Sequence, residues 1–127
     1  MATQDNTANA AKDGYMVENV SSAFTFAGES AGEVIQMYTV KKGEKVLDAA
    51  IYTAALGSGV QLELGDGDDP NGYVTATTAN TAGLFRMNGA LGAGKEYTAD
   101  DTVDVTTSGG AATGAITLNL TIKRTFD

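Results

Sequence analysis

The stretch 115-AITLNLTIKR-124 alternates apolar and polar residues without a break. Aliphatic side chains occupy every second position: Ile116, Leu118, Leu120 and Ile122. Because successive side chains of a β-strand point to opposite faces, this period of two predicts a strand with one side in a core and the other in solvent. Such a half-buried strand is typical of an antiparallel sheet.

Similar short segments recur from Tyr15 onward, separated by glycine or by Asp and Asn. They are 22-SAFTFA-27, 33-EVIQMYTV-40, 45-KVLDAAIYTAA-55, 60-VQLEL-64, 72-GYVTAT-77, 83-GLFRM-87 and 102-TVDVTT-107. We therefore predict an all-β fold, a two-sheet, jelly-roll-like β-sandwich of eight to nine short antiparallel strands. Residues 15–127 are expected to form this single domain. Residues 1–14 are polar and without periodicity, which predicts a flexible N-terminal arm.

The segments 33-EVIQMYTV-40 and 45-KVLDAAIYTAA-55 alternate less clearly, because apolar residues fall on both of their faces. As strands they are expected to be covered on both sides. For residues 45–55 a short helix is the competing interpretation, since alanine favours helices. The Lys-Lys-Gly-Glu run at 41–44 predicts a hairpin turn between these two segments.

The composition excludes several functional classes. Sixteen acidic residues against eight basic ones give a formal charge of −8, which opposes binding to a phosphate backbone, so no nucleic acid is expected as a partner. The chain has no cysteine and no histidine, and so lacks thiolate chemistry and the usual general base. No run of about eighteen apolar residues predicts a membrane span. We therefore expect neither an enzyme nor a cofactor.

The run 89-GALGAGKE-96 satisfies the phosphate-loop pattern G-x-x-x-x-G-K. However, Glu96 stands where that loop needs Ser or Thr for Mg²⁺, and 97-YTADDTVDV-105 predicts a turn and a strand rather than a helix. We interpret this run as a flexible loop. The Asp100–Asp101 pair predicts a turn, because neighbouring side chains in a strand point apart and do not form a two-carboxylate site.

The acidic stretch 64-LGDGDDPNGYV-74 raises the question of a calcium site. Aligned from its first aspartate with an EF-hand loop, it places Pro70, Asn71 and Thr77 where a side-chain oxygen, a glycine and a glutamate belong. It is therefore not an EF-hand. A different calcium site stays open as an alternative, with oxygens from Asp66, Asp68, Asp69 and Glu63.

The same stretch has a simpler interpretation as a corner between two strands. Asp69-Pro70-Asn71-Gly72 suits a type I turn, with proline second and glycine last. The aspartates are expected to be hydrated at the loop tip. Since a loop of this length often carries binding functions, we predict a partner-contact loop. Its residues are Asp66, Asp68, Asp69, Pro70 and Asn71.

The phrases "GEVIQMYTVKKGEKVLDAAI", "LGDGDDPNGYV", "TAGLFRMNGALGAGKEYTADDTVDVTT" and "GAITLNLTIKR" together resemble small structural proteins of tailed-bacteriophage heads, in particular the head decoration or cement proteins. The likeness covers roughly residues 32 to 123. It implies a β-sandwich, often a jelly roll, that binds the outer surface of an assembled capsid and bridges neighbouring capsomers. It also implies the major capsid protein as a partner, self-association as a homotrimer, and no cofactor. The protein would be made in the host cytoplasm and reside in the virion.

Two other functions remain open. One is a phage tail, head-fibre or adaptor component. The other is a carbohydrate- or calcium-binding β-sandwich module, which exposed aromatic side chains on one sheet face would favour. The candidates for that face are Tyr38, Tyr52 and Tyr73.

Overall fold

The computed structural model describes residues 15–92 and 94–125, except for the side chains of Tyr15 and Thr125. Within these residues the chain forms eight strands and no helix. The strands are β1 (Tyr15–Glu29), β2 (Val34–Val40), β3 (Lys45–Thr53), β4 (Gln61–Gly65), β5 (Val74–Thr78), β6 (Gly83–Arg86), β7 (Asp101–Ser108) and β8 (Ala112–Thr125). The predicted arm at residues 1–14 lies outside the described part of the chain.

The strands form two antiparallel four-stranded sheets, with the orders β1-β8-β3-β6 and β2-β7-β4-β5. Six of the seven connections cross from one sheet to the other, and only β4 and β5 are consecutive neighbours in the same sheet. This is the strand order of a jelly roll. The predicted all-β sandwich and its strand count are therefore confirmed. None of the described residues forms a helix long and apolar enough to cross a membrane.

Two local predictions are wrong. The turn at 41–44 is not part of a hairpin, because β2 and β3 belong to different sheets; the turn carries the chain across the sandwich. Strand β3 is not covered on both sides either, since Tyr52 is 48% exposed. A β-bulge between Val46 and Asp48 inserts one residue, and so Val46 joins Ala49 and Ile51 on the core side.

The core lies between the inner faces of the two sheets. The alternating aliphatic residues of β8 are buried on one side of it, and Val103 and Val105 of β7 lie on the other. Strand β1 begins at Tyr15, seven residues before the predicted segment 22–27. The sequence did not indicate this first part, because it shows little alternation of apolar and polar residues. There the inner side carries Glu18, which forms an ion pair with Arg124 of β8 at 3.2 Å. Arg124 also binds Glu44 and so links the turn before β3 to this end of the sandwich.

Candidate functional site

The acid-rich loop between β4 and β5 is a closed, hydrogen-bonded corner. The backbone N–H of Tyr73 donates to the carbonyl of Leu64 at 2.9 Å and closes the base of the loop. The N–H of Gly72 donates to the carbonyl of Asp69 at 3.0 Å, and that carbonyl also accepts from the N–H of Asp66 at 3.0 Å. The predicted turn over residues 69–72 is therefore confirmed.

Asp66 anchors the loop from beneath. Its side chain is buried, with only 1% of the residue exposed. The backbone N–H groups of Asp68 and Asp69 donate to Oδ1 at 3.0 and 2.9 Å. Lys95 Nζ and the Tyr97 hydroxyl donate to Oδ2 at 2.7 and 2.8 Å. The prediction of a hydrated side chain is wrong for Asp66, because four donors replace water around this carboxylate.

The groups around Asp66 form a buried polar network that sets its electrostatics. Burial raises the pKa of the Asp66 carboxyl, but the hydrogen bonds from Lys95, Tyr97 and the backbone outweigh it, so the pKa lies below its usual value. The Tyr97 hydroxyl also contacts that of Tyr73 through a short hydrogen bond. Burial raises the pKa of Tyr73 to about 12 and that of Tyr97 further. Both tyrosines thus remain neutral, and Tyr97 donates to the charged carboxylate while it accepts from Tyr73.

The glycines of the loop are required by close approach. A Cβ at Gly65 would overlap the carbonyl oxygen of Asp69, and one at Gly72 would overlap the side chain of Leu91. Neither glycine has a positive φ. The loop backbone therefore packs directly on its own turn and on the segment before β7.

The five predicted contact residues differ in their exposure to solvent. Asp68, Pro70 and Asn71 are exposed, Asp69 is half-buried, and Asp66 lies beneath them. Beside the loop lies a depression of about 370 Å³ lined by Gly67, Asp68 and the segment 95–101. The N–H of Gly67 donates to both carboxylate oxygens of Asp101 at 3.2 Å and joins the loop to β7. The loop is thus a rigid projection with a polar hollow at its side.

The carboxylates that could hold a cation are only partly those predicted. Oxygens of Asp66, Asp68 and Asp101 lie within 4.8 Å of one another, whereas Asp69 and Glu63 do not belong to this group among the described residues. Lys95 already supplies a positive charge to Asp66, with Nζ 4.7 Å from the centroid of the Tyr97 ring. The buried carboxylate is therefore neutralised by the chain itself.

A second buried carboxylate, Asp104 of β7, lies on the outer side of its sheet. Its Oδ1 has no hydrogen-bond partner among the described residues. Burial raises its pKa above the ordinary value; a hydrogen bond with Thr102 lowers the pKa, but the charges of Asp101 and Asp66 raise it further. The cost of ionising Asp104 is thus only partly compensated.

Other predicted features take different places. Lys95 of the phosphate-loop pattern is the cation of the Asp66 network, and its run leads into the isolated bridge between Glu96 and Lys45 rather than into a helix. Of the three tyrosines considered for a carbohydrate face, Tyr73 is buried and Tyr38 is half-buried, while Tyr52 is exposed. They do not form one aromatic surface.

The pairing of Lys95 and Tyr97 with Asp66 was not predicted from the sequence. The only local signal was a lysine and a tyrosine two positions apart in a polar loop, and nothing in that pattern indicates a carboxylate some thirty residues away.

Comparisons with known proteins place this fold among phage capsid structures. A chain of the capsid of Ralstonia phage GP4 aligns with a TM-score of 0.71 and 19% identity, over 100% of this chain and 92% of that one. A chain of the cyanophage Pam1 capsid asymmetric unit aligns with a TM-score of 0.66 and 18% identity, over 97% of this chain and 98% of that one. A chain of the acid-stable capsid of Helicobacter pylori bacteriophage KHP30 aligns with a TM-score of 0.60 and 10% identity, over 85% of this chain and 92% of that one.

No protein-family model matches the sequence. No curated protein matches it either. At these identities the alignments establish a common fold. The predicted resemblance to small phage capsid structural proteins is confirmed at that level.

Proposed function

We propose that this chain is a non-enzymatic virion structural protein, a capsid decoration or cement subunit that binds the outer surface of the phage head and bridges neighbouring capsomers. The observation that carries the proposal is the jelly roll shared, over nearly the full length of both chains, with chains of two phage capsids. The proposed partner is the major capsid protein. The chain is made in the host cytoplasm and resides on the virion.

Binding of the subunit stabilises the assembled shell by mass action. A subunit that binds only the assembled shell stabilises that shell by RT ln(1 + [L]/Kd), about 2.7 kcal/mol per site at a hundredfold excess over Kd. Bridging a seam between capsomers adds buried surface that is lost when the shell opens. No chemical step is needed for this role, and so no catalytic group is assigned.

Two contact regions belong to the proposal. One is the exposed tip of the loop, Asp68, Pro70 and Asn71, held rigid by Asp66 so that little conformational entropy is lost on binding. The other is residues 1–14, proposed as an arm that contacts the shell. We also propose that the subunit is a homotrimer, placed where the shell has three-fold or quasi-three-fold symmetry.

The proposal is tested by adding purified protein to heads of the parent phage that lack it. We expect the protein to co-sediment with the heads and to raise the temperature at which they open, and we expect a variant without residues 2–14 to bind more weakly. Absence from the head fraction would overturn the decoration role. Electron microscopy of labelled virions separates head from tail, and label found on the tail would favour the tail or adaptor alternative.

A further inference from the structure

The outer face of the β1-β8-β3-β6 sheet carries one compact group of exposed, interaction-prone side chains. Tyr52 and Leu84 are directly opposite each other on β3 and β6, and they are 48% and 40% exposed. Arg86 lies two residues after Leu84 on the same side of β6 and is also exposed. We call Tyr52, Leu84 and Arg86 the outer-face patch. Tyrosine and arginine are enriched among the residues that contribute most to binding in protein interfaces.

The charge of this face differs from that of the rest of the molecule. Strand alternation and register place Arg86, Lys45 and Lys123 on it against two acids, Asp48 and Glu96, the bridge partner of Lys45. Within the described residues the face is therefore net positive, although the whole chain has a charge of −8. The Arg86 guanidinium forms no hydrogen bond or ion pair with another described residue. It is available to a carboxylate from outside.

The acid-rich loop provides the complementary surface. Its exposed tip combines the carboxylate of Asp68, with Asp69 half-buried behind it, and the ring of Pro70. A carboxylate matches the arginine, and a proline ring matches an exposed tyrosine and leucine. The anchored backbone holds these groups in a fixed relation.

In the described structure the loop does not contact the patch of its own molecule. The loop packs against the segments 88–91 and 95–101. Neither Asp68 nor Arg86 forms an ion pair with another described residue. A contact between the loop and the patch therefore joins two copies, head to tail. A contact of one patch with another patch is disfavoured, because it would oppose two net positive faces.

We propose that the loop tip of one copy, residues 68–71, binds the outer-face patch of the next copy, with Arg86 receiving the carboxylate of Asp68. The inference rests on the proposed homotrimer and specifies its interface. A three-fold ring contains only head-to-tail contacts, so two different surfaces of each copy must fit each other. The loop and the patch are two such surfaces.

Sedimentation of the purified full chain over a concentration series tests the proposal. We expect the wild type to self-associate and Arg86→Ser to weaken association roughly tenfold. Gln61→Glu, an exposed change on the other sheet with the same change in net charge, is expected to have no effect. Arg86→Glu is expected to weaken association further, and the double variant Arg86→Glu with Asp68→Arg to restore it by exchanging the two charges.

A monomeric wild type, or an oligomer unaffected by Arg86→Glu, overturns the inference. So does an Arg86→Ser variant that associates normally but fails to bind heads, since the patch would then contact the shell. Binding of the wild-type protein to heads is measured separately. The decoration role can therefore stand when the interface fails, and the interface can stand when the decoration role fails.

Discussion

The Asp66 network yields the sharpest prediction, because one side chain organises the whole loop. Asp66→Asn keeps the shape of the side chain, but an amide NH₂ in place of Oδ2 cannot accept from Lys95 and Tyr97. Breaking a buried ion pair costs about 3–5 kcal/mol. The Lys95 side chain is 27% exposed and can regain water, so we expect the lower limit, about 3 kcal/mol.

This free energy translates into a measurable shift in melting temperature. At about 2.1 cal/mol/K per residue, the unfolding entropy of 127 residues is about 0.27 kcal/mol/K, so Asp66→Asn should lower the Tm by about 11 °C. Calorimetry measures this shift. Both proteins must be compared at one concentration, since oligomerisation adds to apparent stability. Hydrogen exchange should also show faster exchange of the Asp68 and Asp69 amides, which donate to Asp66.

The matched control is Glu33→Gln, which removes the same charge from an exposed turn. We expect it to change the Tm by less than about 2 °C, the effect of roughly 0.5 kcal/mol. If Asp66→Asn also falls within that range, the carboxylate does not anchor the loop. If the Tm falls but the two amides exchange as in the wild type, the network stabilises the sandwich without organising the loop.

Two further predictions concern charge and backbone space. Asp104→Asn should raise stability at pH 7 by about 1 kcal/mol, since it removes a buried charge whose pKa is raised. Because the wild-type carboxyl becomes protonated as pH falls, melting curves should show this gain shrinking toward pH 4, and a constant gain would contradict the assignment. Gly65→Ala should cost about 2 kcal/mol or more in denaturant unfolding, because its Cβ would overlap the Asp69 carbonyl. Gly110→Ala, with only ordinary contacts at its Cβ, should be nearly neutral, and equal effects of the two would refute the steric argument.

Much of the strand pattern could be predicted, because a half-buried strand records its two environments in alternate residues. Segment 115–124 shows this fully, and β8 contains it. The prediction failed where an extra residue interrupts the alternation of the two faces, as at the β-bulge between Val46 and Asp48. It also failed at the 41–44 turn, since alternation identifies strands but not the sheet to which each strand belongs.

The candidate site was predictable in position but not in construction. Asp69, Pro70 and Gly72 indicate the turn through backbone preferences that act within four residues. The burial of Asp66 depends on Lys95 and Tyr97, which the fold brings from another connection. No local sequence preference indicates such a pairing. From the sequence alone, Asp66 is therefore expected to be hydrated like other aspartates in loops.

The pairing of β1 with β8 joins the first of the described strands to be synthesised to the last of them. Roughly 80 residues separate the two strands. At about 5–20 residues per second, the ribosome therefore makes the partner strand of Phe24 and Phe26 about 4–16 s after β1. Strand β8 also pairs with β3, so this sheet lacks one of its two inner strands until residues 112–125 have been made. A chain whose synthesis stops before β8 cannot build this sheet. The topology thus restricts folding, and with it entry into any assembly, to chains that have been translated through β8.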